Sequence, residues 1–132
     1  MPSRQTGWQA EPVNQLRCVI VDDDASFLEA AQILLESEGV TVTGTASSCA
    51  DALVRVDALH PDVVLLDIRL GEESGFDVAR QLAASGYAAE LIMISTHAEA
   101  DYADLLAESP TAGFLPKADL SGTAIRRILA RN

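Results

Sequence analysis

Five short apolar stretches recur along this chain, and each is followed by a segment whose apolar residues repeat with helical spacing. The stretches cover residues 16–21, 40–45, 63–66, 91–94 and 112–115. The helices that follow them are predicted over residues 25–37, 48–59, 76–84, 100–107 and 121–130. Strands that alternate with amphipathic helices predict a parallel sheet with helices on both faces. We therefore expect an α/β fold, a doubly wound (βα)5 unit with five parallel strands.

The composition of the stretches predicts their order in the sheet. Residues 40–45 mainly alternate valine with threonine, which suits a half-exposed edge strand, whereas residues 63–66 are wholly apolar and suit the centre. The stretch 112–115 is followed by Pro116, whose missing N–H is best tolerated at an edge. These features favour the flavodoxin-like strand order 2-1-3-4-5.

The chain has 132 residues, the length of one domain. We expect residues 16–132 to form this domain and residues 1–15, which include Trp8, to form a flexible tail. No apolar run approaches the roughly 20 residues that span a bilayer, and the N-terminus lacks the apolar segment of a secretory signal. These features predict a soluble cytoplasmic protein without a membrane partner.

The formal net charge of −11 argues against direct binding of nucleic acid, because phosphate contacts need clustered Lys and Arg. The same charge disfavours anionic membrane surfaces. The two cysteines, Cys18 and Cys49, lack the CxxC spacing of zinc and redox motifs, and Cys18 lies inside an apolar stretch. A reducing compartment is the simpler interpretation.

Four of the apolar stretches are followed by side chains that can bind a ligand or react with one: Asp22 and Asp23, Asp67, Ser95, and Lys117. In a parallel α/β sheet the ligand site lies outside the carboxyl ends of the strands, so these side chains should meet in one pocket. Three carboxylates and one ammonium carry a formal charge of −3 + 1 = −2, which a divalent cation would cancel. Oxygen ligands select Mg²⁺, Mn²⁺ or Ca²⁺ over zinc. The same set suits phosphoryl transfer, in which a carboxylate can be the nucleophile.

Helix capping is the alternative explanation for the acidic run 22–24, since Asp is favoured before a first helical turn. Capping accounts for Asp24, although a capping box of Ser26 with Glu29 could cap the same helix instead. The apolar face of this helix is predicted to contain Phe27, Ala31, Leu34 and Leu35. Gly39 is expected to follow its C-cap.

At these residues the chain resembles the receiver domain of bacterial two-component response regulators, over residues 17–132. Asp67 follows the acidic pair at the family's spacing, 44 residues after Asp23. A glycine, a hydroxyl residue, an aromatic residue and a lysine come next in the family's order: Gly75, Ser95, Phe114 and Lys117. Two positions depart from the pattern, since Gly71 and Ala118 stand where many receivers have proline.

The resemblance implies that Asp67 accepts a phosphoryl group from the phosphohistidine of a sensor histidine kinase. The reaction would depend on Mg²⁺, for which Mn²⁺ can substitute. Ser95 and Lys117 would contact the phosphoryl group. The implied metal ligands are the carboxylates of Asp22, Asp23 and Asp67 and the backbone carbonyl of Arg69.

The resemblance also implies a switch, in which Ser95 is drawn inward, Phe114 turns into the vacated space, and the face of the fourth helix, fifth strand and fifth helix changes shape. Arg69 and His97 would tune the lifetime of the phosphoryl group. The protein would be a phosphoacceptor switch and no enzyme, catalysing only its own phosphoryl transfer and dephosphorylation. Its output would pass to a downstream partner protein or a phosphotransfer protein, with homodimerisation on phosphorylation as an option.

The residues leave other readings open. We interpret the chain as a stand-alone receiver, with a fragment of a DNA-binding regulator as the alternative. A degenerate receiver would bind its partner constitutively and take no phosphate. A hydrolase of the haloacid-dehalogenase type would use Asp22 as its nucleophile, because residues 22–24 contain a D-x-D core.

Overall fold

The structure of the chain is a computed structural model that describes residues 15–131, so most of the expected tail, including Trp8, lies outside the described residues. Five parallel strands form one sheet in the order β2-β1-β3-β4-β5. These strands are β1 Leu16–Val21, β2 Val40–Ala46, β3 Val63–Asp67, β4 Glu90–Ser95 and β5 Gly113–Pro116. The predicted strand order is confirmed, with β2 and β5 at the edges.

Five α-helices follow the strands, each within three residues of its predicted limits. They are α1 Ala25–Ser37, α2 Cys49–Leu59, α3 Gly75–Ala84, α4 Ala103–Glu108 and α5 Gly122–Ala130. The predicted start of α4 at residue 100 was wrong, because a 3-10 turn, Glu99–Tyr102, precedes the α-helix. No side chain caps either segment. Within residues 15–131, no helix has the length and apolar content needed to cross a membrane.

The sheet carries an apolar core on each face, one packed under α2 and α3 and the other under α1 and α5. The central strand β3 is buried along its whole length. Val64 and Leu66 pack in the first core, and Val63 and Leu65 pack in the second. Burial of each such side chain contributes about 1.5–3 kcal/mol, so the sheet is a firm base for the loops at its carboxyl edge.

The start of α1 is fixed by Asp24, whose Oδ1 accepts hydrogen bonds from the backbone N–H groups of Ser26 and Phe27 at 3.0 and 3.2 Å. Asp24 is therefore the N-cap, and the capping-box alternative does not apply. The helix ends as expected before Gly39, which has a φ of +85°. The prediction of the apolar face was wrong for Leu34, whose side chain is 39% exposed.

Candidate functional site

The carboxylates of Asp22, Asp23 and Asp67 converge at the carboxyl edge of the sheet, each offering an oxygen within 4.8 Å of the others. Asp22 and Asp23 follow β1, and Asp67 ends β3, the neighbouring strand. Asp22 is fully buried and Asp67 nearly so, whereas Asp23 is exposed. The pocket expected from the strand ends therefore exists, and it has one acid at its mouth and two at its base.

Lys117 places its ammonium against the two buried acids. Its Nζ lies 2.5 Å from Asp22 Oδ2 and 3.3 Å from Asp67 Oδ2, and its side chain is 13% exposed. The lysine follows β5 in a 3-10 turn, Lys117–Asp119, on the far side of β4 from Asp67. The four charged side chains carry a formal −3 + 1 = −2 in this small space.

The oxygens of Asp22 are only partly satisfied. Oδ1 accepts a hydrogen bond from the backbone N–H of Asp24 at 2.9 Å. Oδ2 is buried and makes no hydrogen bond of regular geometry, so its partner is the charge of Lys117. A buried carboxylate oxygen held by one cation can still ligate or orient a second positive group.

Asp67 is held by two donors and carries a perturbed carboxyl group. Its Oδ1 accepts from the backbone N–H of Arg69 at 3.2 Å, and its Oδ2 accepts from Lys117 at 3.3 Å. Burial raises the pKa of Asp67, and the charge of Asp22 adds to this, while the Arg69 hydrogen bond and Lys117 offset it only in part. A carboxylate destabilised by its surroundings gains from any cation that enters the pocket.

The charge of Lys117 is secured by the same neighbours. Burial alone would lower its pKa, but the close contact with Asp22 and the negative charges of Asp67 and Asp22 outweigh burial and raise the pKa. The ammonium therefore stays protonated across the physiological range and is a fixed positive charge.

The donor set fits a hard divalent cation. It consists of carboxylate oxygens with an excess of negative charge, and it includes a buried oxygen of Asp22 that lacks a regular hydrogen bond. One member, Asp23, is open to solvent, which leaves room for the waters that Mg²⁺ keeps when it binds proteins. Histidine and cysteine, which zinc prefers, are missing from this acidic group.

A cavity of about 280 Å³ opens onto these groups. Its lining contains every predicted site residue except Phe114: Asp22, Asp23, Asp67, Arg69, Ser95, His97 and Lys117. Asp24, Gly71 and Thr96 complete the lining. Phe114 is buried in the core under α2 and α3 instead, and it borders a separate cavity beside α4.

Ser95 and His97 form the wall of the cavity next to α4. Ser95 is 4% exposed, and its Oγ accepts a hydrogen bond from the backbone N–H of His97 at 3.0 Å. The His97 ring meets the Tyr102 ring edge-on, at a centroid distance of 6.3 Å and an interplanar angle of 87°. The hydroxyl of Ser95 is thus linked through two residues to the 3-10 turn that leads into α4.

A short hairpin contributes Arg69 and Gly71 to the lining of the cavity. Arg69–Leu70 pairs with Glu73–Ser74, and Gly71 begins the two-residue turn with a φ of +59°. Proline cannot adopt a positive φ, so this turn explains why Gly71 departs from the family pattern. Glu73 accepts a hydrogen bond from the backbone N–H of Cys49 at 2.9 Å, which ties the hairpin to the start of α2.

Sequence reasoning missed two members of the site. Thr96 lines the cavity, and its place directly after Ser95 at a strand end was the available signal. Phe27 places its ring centroid 4.4 Å from Lys117 Nζ. The apolar pattern of α1 had assigned Phe27 to the core, and no pattern within one helix could indicate a contact with a residue 90 positions away.

Comparison with known proteins shows that this chain belongs to a family of signalling domains. Residues 18–127 match the family described as the response regulator receiver domain. The alginate biosynthesis transcriptional regulatory protein AlgB of Pseudomonas syringae pv. tomato is 32% identical over 83% of the chain. The DNA-binding response regulator MtrA of Mycolicibacterium paratuberculosis is 33% identical over 87% of it.

The solved structures agree with the sequence relatives. A two-component response regulator of the LuxR family from Aurantimonas sp. SI85-9A1 superposes with a TM-score of 0.80 and 25% identity, covering 90% of this chain and 88% of that one. The matched region is 24% of AlgB and 50% of MtrA, so this chain spans a quarter to a half of those relatives.

Proposed function

Because this chain belongs to the response regulator receiver domain family, we propose that it accepts a phosphoryl group on Asp67 from the phosphohistidine of a sensor histidine kinase. A bond forms between an Asp67 carboxylate oxygen and phosphorus as the phosphorus–nitrogen bond breaks. The electron pair of that bond returns to the histidine imidazole. The product is an aspartyl phosphate.

The residues around Asp67 support this role by their charge. Phosphoryl transfer spreads negative charge over three equatorial oxygens, and its catalysis is mainly positioning and electrostatic stabilisation. The Lys117 ammonium already lies 3.3 Å from Asp67 Oδ2, so it is placed to neutralise one of these oxygens. The Ser95 hydroxyl lines the same cavity and is the proposed donor to another.

We propose that Mg²⁺ binds in the acidic cluster, with Mn²⁺ able to substitute. The ligands would be the carboxylates of Asp22, Asp23 and Asp67 and the backbone carbonyl of Arg69. A bound divalent ion would carry a charge of +2 and would cancel the formal −2 of the pocket. Asp22 is the ligand best suited to act through a water, since its Oδ2 is already engaged by Lys117.

The output is proposed to be a change of shape on the face of α4, β5 and α5. Phosphorylation would draw the Ser95 hydroxyl toward the phosphoryl group and away from its hydrogen bond with the His97 N–H. Phe114 is buried beside α4 and would repack into the space that Ser95 leaves. The altered face would then bind a downstream partner protein or a phosphotransfer protein, or a second copy of the chain.

Arg69 and His97 are proposed to set the lifetime of the phosphoryl group. Both residues are exposed and line the cavity that holds Asp67. Their side chains would limit the access of the water that hydrolyses the aspartyl phosphate. Substitution of both by alanine is expected to change the dephosphorylation rate several-fold, and an unchanged rate would remove them from this role.

The observation that carries the proposed function is the contact of one ammonium with two buried carboxylates at the carboxyl edge of the sheet. Incubation with acetyl phosphate and Mg²⁺ should raise the intact mass by about 80 Da, the mass of one phosphoryl group. Asp67→Asn should abolish this increase, while Glu36→Gln, which removes a distant exposed charge, should retain it. Chemical trapping of the acyl phosphate on Asp22 instead of Asp67 would favour a hydrolase, and no mass increase would favour a degenerate receiver.

A further inference from the structure

The ammonium of Lys117 is bounded on a third side by an aromatic ring. Its Nζ lies 4.4 Å from the centroid of Phe27, within the range of about 6 Å for a cation–π contact. The same nitrogen contacts Asp22 at 2.5 Å and Asp67 at 3.3 Å. A lysine ammonium has three donors, so the two carboxylates and the ring face together enclose it.

Phe27 is fixed in this position by the same acidic run that forms the site. Its backbone N–H donates to the N-cap residue, Asp24, at 3.2 Å. Its side chain is partly buried and packs against the core under α1 and α5. The ring is therefore held by the first turn of α1 and by the core, and Lys117 Nζ lies over it.

We propose that Phe27 is a positioning residue whose ring holds the Lys117 ammonium between Asp22 and Asp67 so that its charge is in place when the phosphoryl group arrives. This inference rests on the proposed function of Asp67. An acidic residue at this place would compete for the ammonium, and an aliphatic residue would leave its third side without an attractive partner. An aromatic face attracts the cation and offers no competing oxygen.

Ordinary core packing is the explanation that has to be separated from positioning. Leu28 is the next residue of α1, is also partly buried, and packs against the same core as Phe27. Leu28→Ala therefore serves as the packing control. Phe27→Leu removes the aromatic face and keeps an apolar side chain, and Phe27→Tyr restores the face.

The first measurement is NMR of the Lys117 side chain in the full chain, without metal or phosphodonor. In the wild type, the ring current of Phe27 should shift the ε-methylene protons of Lys117 upfield, and carbon relaxation should show that this methylene is rigid. Phe27→Leu should make the methylene more mobile. Phe27→Tyr and Leu28→Ala should leave it as rigid as in the wild type.

The second measurement is the rate of phosphorylation by acetyl phosphate with Mg²⁺, followed by rapid quenching and intact mass. Phe27→Leu should lower the rate at saturating acetyl phosphate roughly three- to thirty-fold, the range that a cation–π contact supplies, with little change in KM. Phe27→Tyr should restore the rate. Leu28→Ala should lower stability and leave the rate unchanged.

The proposal is overturned if Lys117 is as rigid in Phe27→Leu as in the wild type, or if Phe27→Tyr is as slow as Phe27→Leu. It is also overturned if Leu28→Ala slows phosphorylation to the same extent, since the ring would then act through packing alone. If the wild type takes up no phosphoryl group, the proposed function fails, and the NMR measurement by itself decides whether Phe27 holds Lys117.

Discussion

A Cβ atom on Gly75 would lie 2.0 Å from the backbone carbonyl oxygen of Asp67 and 2.8 Å from the Cα of Ile68. The backbone N–H of Gly75 donates to the Ile68 carbonyl at 2.6 Å. The first residue of α3 thus packs directly on the last residue of β3. Because both sides of this contact are backbone, neither can rotate away, and only glycine fits.

Gly75→Ala is therefore expected to lower the free energy of unfolding by about 2 kcal/mol or more and to displace Asp67 from its partners. The control is Gly122→Ala, at the first residue of α5. The three atoms nearest to a Cβ there belong to side chains, among them Val40 Cγ2 at 3.2 Å and Arg126 Nη1 at 3.3 Å, which can move slightly. Urea unfolding should show a cost below about 1 kcal/mol for Gly122→Ala. Equal costs would show that α3 can shift away from β3.

Stability should depend on pH through Asp67. Its pKa is raised in the folded state by burial and by the charge of Asp22, so the folded protein binds the proton more tightly than the unfolded chain does. Ionisation of Asp67 then destabilises the fold above the folded pKa, and this loss is relieved as the pH falls through that value. Asp67→Asn should stabilise the metal-free protein at pH 7 by on the order of 1 kcal/mol, since it removes a carboxylate from a crowded acidic pocket.

The gain from Asp67→Asn should shrink as the pH falls toward the ordinary pKa of aspartate, because wild-type Asp67 is then neutral as well. Urea unfolding of both proteins from pH 4 to pH 8, in the presence of a chelator, measures the difference. A gain that grows in acid would mean that the Arg69 and Lys117 contacts outweigh burial and that the pKa of Asp67 is lowered.

The pairing of Lys117 with buried Asp22 predicts that removal of the lysine alone lowers the free energy of unfolding strongly. Lys117→Met leaves the fully buried Asp22 carboxylate without its cation, and breaking a buried pair in this way costs about 3–5 kcal/mol. Asp22→Asn on the Lys117→Met background should recover much of this loss, because it removes the unpaired charge. A double-mutant cycle in urea without metal tests the coupling. Additive effects would contradict the close pairing.

The convergence of the strand-end residues could be predicted because parallel topology leaves little choice. Once β1, β3 and β5 run in the same direction, the residues that follow them must share one edge, whatever the details of packing. That is why Asp22, Asp67 and Lys117 could be placed together from short apolar stretches alone. The strand order followed in the same way from which stretches looked half-exposed.

Contacts between elements that are distant in the sequence could not be predicted. The distance from Gly75 to Asp67 depends on how the hairpin returns to the sheet, and the ring of Phe27 reaches Lys117 only because α1 and β5 lie close in space. The start of α4 was misplaced because its alanine-rich sequence offers no capping side chain to mark the boundary. Local patterns identify a residue's own element, and they do not report which distant element it meets.

Mg²⁺ should stabilise the protein by binding the folded state. When free Mg²⁺ reaches about 100 times its Kd, the free energy of unfolding should rise by about 2.7 kcal/mol. Asp23→Asn removes the exposed member of the acidic cluster and should sharply reduce this gain at the same Mg²⁺ concentration. Glu36→Gln removes one exposed charge from α1, outside the cluster, and should keep the gain. Thermal unfolding with and without Mg²⁺ at fixed ionic strength measures it, and an equal rise in Tm for both variants would mean that Mg²⁺ only screens the net charge of −11.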